Sequence, residues 1–353
     1  MYEIMKNSFT PPPHVHEGRD SRSIIASGKA KRRFSLRYKL ILIFGLLIAL
    51  ATTIEGLLAV RTARKAVTEK VEAHLTDKAN DVAKIVDGRV ATLFQFIEGL
   101  ARIPALRDNS LSLIQKAQSL VKEAEFNKKI DFFGVSDIHG NRYDSSGKRT
   151  EIEDRDWFQA VMQGKNFIAE PRISRGTNQL QFVLAVPIVD DNKTIIGSLS
   201  AAVPATILSE EINDITVGQS GYCYVLGLTG VAIAHKNSDA VKNKLNMIEK
   251  SKTDKSLESL GLFAQHALDS AKSEVGNYVY NGVKNIASYA KMKSTGWTVI
   301  VTAPYNEFMG TVNALRTSMI GIGVVISLIV LIIVYLVARA IIKPIQTAVS
   351  ALQ

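Results

Sequence analysis

Histidine, cysteine and carboxylate side chains are where chemistry would start, and in this chain their spacing assembles nothing catalytic. No phosphate-binding G-x-x-x-x-G-K-[ST] loop, no G-x-S-x-G elbow and no H-E-x-x-H zinc signature occurs. The single cysteine, Cys223, alternates with Tyr222 and Tyr224 and reads as a core residue of a strand. One thiol excludes an intrachain disulfide framework and a Cys-cluster metal site. His235 and His266 stand isolated; His235, at a strand end, reads as a hydrogen-bonded structural residue. Asp190-Asp191 reads as a solvated turn pair. No catalytic residue, no metal and no cofactor is therefore expected, and the chemistry to look for is binding.

The elements that must position such a site begin with two apolar windows. Residues 40–60 hold one ionisable group, Glu55, and residues 318–338 hold no charged side chain. About 20 helical residues cross a hydrocarbon core, and a lone span must be helical to satisfy its own backbone. A cleaved signal peptide would suit Ala49-Leu50-Ala51, but 39 residues precede the first window and its apolar run continues past that point. Residues 1–39 carry nine Lys/Arg against three Asp/Glu, and Arg339 and Lys343 follow the second window. Basic flanks mark the cytoplasmic side, which places residues 61–317 outside. Much of the +10 formal charge of the 353 residues is thus a membrane-proximal feature. Nucleic acid is not an expected partner, since no aromatics interleave the basic tail to stack bases. The tail, with Pro11-Pro12-Pro13, reads as largely disordered.

Between the windows, Val67, Val71, Leu75, Ala79, Val82, Val86, Val90, Leu93, Ile97 and Leu100 recur at steps of three and four. They predict a helix of roughly 40 residues that ends before Pro104 and acts as a spine, with a stripe able to pack against a second subunit. A second helical stretch is expected from Leu111 to Phe126. Then alternation takes over: strand–turn–strand near 130–144, a short helix from Asp156 closed by Gly164, and strands at 179–187 and 195–203 around a Val189–Lys193 turn. The scheme repeats from Gly221, with a Lys-rich helical region at 239–271 and three more strands up to Ala303. The fold class expected is α+β: two stacked α/β modules with antiparallel sheets on a long N-terminal helix, plus two transmembrane helices.

Four stretches in this order carry a resemblance. They are Asp154-Arg-Asp-Trp-Phe158 with Ala160 and Gly164; Glu170-Pro-Arg-Ile-Ser174 through Phe182, Ala185-Val-Pro-Ile188 and Ile196-Gly197; Gly221-Tyr222 with Gly230 and Ala234-His235; and Ala340-Ile-Ile-Lys-Pro-Ile345. Over about residues 35–353 the chain resembles the sensor half of a bacterial methyl-accepting chemotaxis protein, with a double Cache (PAS-like) domain between two spans and the start of a HAMP linker. The resemblance implies a cytoplasmic tail at 1–39, spans at 40–60 and 318–338, a sensor domain at 61–317 (distal module about 107–213, proximal about 214–305) and a truncated HAMP start at 339–353. It also implies an inner (plasma) membrane location with both termini cytoplasmic, a homodimer, and a cytoplasmic chemotaxis kinase complex reached through an output region beyond this chain. Pro344 is the expected point of signal transmission, where a HAMP helix would begin.

In amino-acid-binding members the arginine of the Arg-x-Trp segment holds the carboxylate between aromatics, and Arg155, Trp157 and Phe158 fit those places. A guanidinium matches a carboxylate bidentately, and a dry wall strengthens the pair. The rival reading makes Trp157 and Phe158 core residues and pairs Arg155 with Asp154 or Glu153. The family pattern also has a tyrosine where Thr150 stands and an ammonium-binding aspartate where Ala202 stands. A buried ammonium without its anion is costly, so the expected ligand is a small carboxylate or other anion lacking an amine, held by Arg155 with Arg172, Ser174 and Tyr143. Two other outputs fit the same sensor, a histidine kinase or a cyclic-dinucleotide cyclase. A membrane-anchored solute-binding protein is the rival from another class.

Overall fold

In the computed structural model, residues 36–175 and 177–350 are described. The tail read as disordered lies, up to residue 35, outside them, as do the last three residues of the expected linker. The chain forms two compact units, one of residues 52–324 and one of helical residues from 36–51 and 325–350.

The first helix, α1 (Leu36–Ala101), contains no proline and runs without a break. The spine and the first apolar window are therefore one element. It stops because Pro104 opens the short α2 (Pro104–Arg107), with Ile103 before it extended at φ −64°, ψ 144°. The expected second helix divides in two, α3 (Leu113–Gln118) and α4 (Val121–Phe126). A Ser112–Gln115 capping box starts α3.

The first sheet follows: β1 (Phe132–Ser136), β2 (Asn141–Asp144), β3 (Arg149–Glu151), helix α5 (Asp156–Met162), then β4 (Phe167–Ile173), β5 (Leu180–Val189) and β6 (Ile195–Pro204). Its order is β3-β2-β1-β6-β5-β4, antiparallel throughout. Helix α6 (Ile207–Ile212) leads to the second sheet, formed by β7 (Thr216–Val217), β8 (Gly221–Leu226) and β9 (Ala232–His235). Helices α7 (Asp239–Lys242), α8 (Met247–Ser251) and α9 (Glu258–Asp269) intervene before β10 (Val275–Tyr280), β11 (Val283–Lys291) and β12 (Thr298–Pro304). The order is β10-β11-β12-β8-β7, with β9 also on β8. The fold is α+β, with two antiparallel sheets on a long N-terminal helix.

The α1 stripe joins these modules. Leu75, Ala79, Val82, Val86, Val90, Leu93, Ile97 and Leu100 are all buried in one core with Val186, Leu199, Val225 and Val299. Each buried Val, Leu or Ile among them contributes roughly 1.5–3 kcal/mol. From Leu75 on, the stripe that could also have packed against a second subunit is occupied by this chain's own sheets. Phe182 of the first sheet meets Trp297 beside the second, with ring centroids 5.8 Å apart.

A 46-residue helix, α10 (Tyr305–Ser350), closes the chain. It continues through Pro344, where the sequence led us to expect a new helix. Helices α1 and α10 each contain a window long and apolar enough to cross a membrane, with none of either window buried. Within the helical unit the two approach at Gly45, where an added Cβ would lie 2.9 Å from Leu331 Cδ2. Small residues permit such close contact between apolar helices.

Candidate functional site

Helix α5 lies over the first sheet because one face of Asp156–Met162 is apolar. Trp157, Phe158 and Val161 are buried in a small cluster with Ile152, Ala169 and Ala185. The Trp157 and Phe158 rings meet edge to face, with centroids 6.3 Å apart. Between α5 and the sheet is a cavity of about 50 Å³, lined by residues of β1 to β6, by the start of α5 and by residues 172–175.

Two ion pairs fasten the end of β4 to the start of α5. Arg172 donates to both oxygens of Asp156, at 3.0 and 2.8 Å. Arg175 does the same to Asp154, at 2.9 and 2.7 Å. The Arg175 bond holds Asp154 below the usual carboxylate range. Burial opposes the charge of Asp156, but Arg172 and the Trp157 N–H together keep its pKa lowered. Both carboxylates beside Arg155 are thereby engaged elsewhere. The Arg155 guanidinium makes no hydrogen bond or ion pair among the described residues. Its pKa is lowered, chiefly by burial and then by the nearby Arg175 charge. The rival pairing of Arg155 with Asp154 or Glu153 does not occur.

A second cation faces the same cavity from β2. Arg142 is 7% exposed, and its Nε donates to Ser200 Oγ at 2.9 Å. Ser200 Oγ in turn donates to the Gly134 carbonyl at 3.1 Å. Gly134 leaves room for this arrangement, since a Cβ there would lie 2.1 Å from the guanidinium carbon. Burial brings the Arg142 pKa down to about 10, only partly offset by Asp144, so it remains cationic at neutral pH. It forms no ion pair among the described residues.

Of the residues expected at the site, Arg155, Trp157, Arg172 and Ser174 line the cavity, and Tyr143 and Phe158 do not. Strand alternation accounts for Tyr143: neighbouring residues point to opposite faces, and Arg142 takes the cavity side. Phe158 packs beneath Trp157 in the α5 cluster. Sequence reasoning missed Arg142 and Arg175. The available signal for Arg142 was Gly134, because glycine inside a strand marks a close approach. Thr150 and Ala202, the two departures from the amino-acid-binding pattern, both line the cavity, and among the described residues no Asp or Glu does. Pro344 lies in α10, far along the chain from this site.

Strand β4 leaves the cavity toward the second module. Pro171 has no N–H for the ladder, and the β4–β5 register slips between Ala169 and Arg172. At this bulge Glu170 Oε1 accepts the Leu228 N–H of the second module at 2.6 Å.

The arrangement is an α+β fold with a cation-lined cavity in its first module. Residues 59–312 match the dCache_1 family, a Cache domain, and the chain belongs to that family. The methyl-accepting chemotaxis protein TlpA of Bacillus subtilis (strain 168) is 22% identical over 333 residues, which is 91% of this chain and 46% of TlpA. McpB, a methyl-accepting chemotaxis protein of the same organism, is 24% identical over 203 residues, covering 56% of this chain and 27% of McpB. The chain thus spans less than half the length of the curated relatives it matches. Among solved structures, the ligand-binding domain of the Pseudomonas fluorescens chemoreceptor CtaA with L-isoleucine aligns with a TM-score of 0.55 at 15% identity, covering 71% of this chain and 99% of that one. The ligand-binding domain of the Pseudomonas aeruginosa PAO1 amino acid chemoreceptor PctB with L-Arg aligns at 0.51 and 17% identity, covering 68% and 97%. At these identities the likeness bears on the fold.

Proposed function

We propose that this chain is the sensing and membrane-crossing part of a chemoreceptor, and that the cavity of the first module binds a small carboxylate or similar anion lacking an amine. The observation that carries the ligand class is the pair of guanidiniums on one cavity, Arg142 and Arg155, neither in an ion pair and with no acidic side chain in the wall among the described residues. A carboxylate would complete both cations. An amino acid, the ligand class in the CtaA and PctB complexes, is the second reading, but its ammonium would find no anion in this wall. The role is sensing rather than catalysis, in line with the chemotaxis relatives.

In this reading, residues 40–60 and 318–338 span the inner membrane, residues 61–317 lie outside, and both termini are cytoplasmic. A homodimer would pass the signal through the segment around Pro344 to an output region beyond this chain and its kinase complex. Binding biases such a device only if the ligand prefers one of its two states. Strand β4 is the path we favour, since it links the cavity lining at Arg172 to the Glu170–Leu228 contact.

Calorimetric titration of the chain in nanodiscs with acetate, propionate and L-alanine tests the ligand class. Acetate or propionate should bind and L-alanine should not; tight binding of L-alanine with no binding of the two acids reverses the assignment.

A further inference from the structure

A cavity larger than the one under α5 lies in the other module. It measures about 260 Å³ against about 50 Å³ for the cavity under α5, and about 150 Å³ of apolar cavity is enough to hold benzene. Four tyrosines form much of its wall: Tyr222 and Tyr224 on β8, and Tyr278 and Tyr280 on β10. The remaining wall is largely apolar and includes Leu226, Leu260 and Ala264.

One polar group in this wall is unexplained. Tyr224 is 7% exposed, and its hydroxyl is buried without a hydrogen-bond partner among the described residues. The Tyr278 hydroxyl lies close enough to act on the Tyr224 phenol, but the pair does not meet hydrogen-bond geometry, and Tyr278 is itself paired with Thr302 Oγ1 at 2.7 Å. Buried hydroxyls are normally satisfied, and an orphan on a cavity wall calls for a partner in the cavity.

The neighbouring groups are donors. His235 Nδ1 has both the Asn237 N–H, at 2.9 Å, and the Asn237 carbonyl, at 3.2 Å, beside it, and the shorter contact favours the neutral imidazole with its proton on Nε2. Burial lowers the His235 pKa and favours that neutral form. The ring stands against Tyr222 and Tyr224, with centroids 5.4 and 5.7 Å away. Lys250 lines the cavity and forms no ion pair among the described residues. The one acid in the wall among the described residues, Asp239, already has Lys242 Nζ at 3.5 Å. Aromatic walls also suit cations, but Lys236 Nζ already sits 5.9 Å from the Tyr222 ring centre.

We propose that the second module carries its own ligand site, in which the tyrosine-walled cavity takes a small planar molecule bearing an acceptor group, of the aromatic carboxylate class. The ring lies against the tyrosine faces, and the carboxylate meets the Tyr224 hydroxyl, His235 Nε2–H and Lys250.

Benzoate is the probe, titrated by calorimetry and thermal shift into the full chain in nanodiscs. Wild type should bind it saturably. Tyr224→Phe removes one unpartnered oxygen, so its melting temperature without benzoate should match wild type while its benzoate affinity falls about tenfold. Ala264→Phe, which fills the cavity, should abolish binding. Absence of saturable benzoate binding to wild type overturns the proposal. So does full affinity in both variants, which would leave the Tyr224 hydroxyl to an ordered water. Loss in Arg155→Ala with retention in Tyr224→Phe would assign benzoate to the first cavity and overturn it too.

Discussion

Arg155 and Arg142 share one cavity but should respond differently to substitution, because among the described residues the Arg155 guanidinium makes no hydrogen bond or ion pair, whereas Arg142 is bonded into the sheet. Arg155→Ala should lower affinity for the ligand of the first cavity by roughly 10- to 100-fold, the worth of a lost charge-assisted bond. Its melting temperature should barely move, and a titration beside a thermal melt reads both. Gly134→Ala should instead destabilise the folded chain by about 1–3 kcal/mol, since the added methyl must displace the Arg142 guanidinium; chemical denaturation checks it. With the Arg142 pKa lowered to about 10, folding disfavours the cation, so its cost is constant below that value and is relieved only as pH rises beyond it. Ligand affinity should therefore show no arginine titration between about pH 6 and 9. Arg155 was legible from its place beside Trp157. Arg142 was not, since its short strand presents Arg142 and Tyr143 to opposite faces and only the register decides which is inside.

Among the elements, the α1 stripe was the plainest in the sequence. Its spacing shows an apolar face but not what covers that face, and both modules do so within this chain. The strands at 180–189, 195–204 and 275–304 were legible from alternation and turn residues. The short β3 and β7 were not, because three- and two-residue strands carry no period. The first turn of α10 is tied to the β7–β8 turn by Glu307, which accepts the Gln219 N–H at 2.7 Å, the Ser220 N–H at 3.1 Å and the Ser220 hydroxyl. Burial opposes its charge, but these donors win and its pKa is lowered. A carboxylate lowered on folding stabilises above its unfolded value and loses that contribution as pH falls through the folded one. Glu307→Gln should thus reduce stability by about 1 kcal/mol at pH 7, and the difference from wild type should vanish at acid pH below the ordinary carboxylate range. Thermal melts across pH read the effect, and a difference that persisted in acid would contradict it.

At the scale of the whole molecule, one core runs through both modules, so residues 52–324 should unfold in a single calorimetric transition. Trp297 sits fully buried at the junction with Phe182, and Trp297→Ala should cost about 3–5 kcal/mol. Two resolved transitions in wild type would contradict the shared core. The proposed topology has a convenient reporter background. Cys223 is 1% exposed, and burial pushes its thiol pKa up to about 12, so it should resist maleimide in the folded chain. A cysteine introduced at exposed Leu228 should then be labelled by an impermeant maleimide from outside intact cells; labelling only after lysis would reverse the orientation.

The sequence by itself determined the local period of each long element, the two windows apolar enough for a membrane, and the family motifs, since these depend on residues close along the chain. The tertiary structure decided which face of β2 looks inward, that Asp154 and Asp156 form their ion pairs with Arg175 and Arg172 rather than with Arg155, and that the tyrosines of β8 and β10 share one cavity. Those outcomes depend on strand register and on contacts between residues far apart in sequence, which no local pattern encodes.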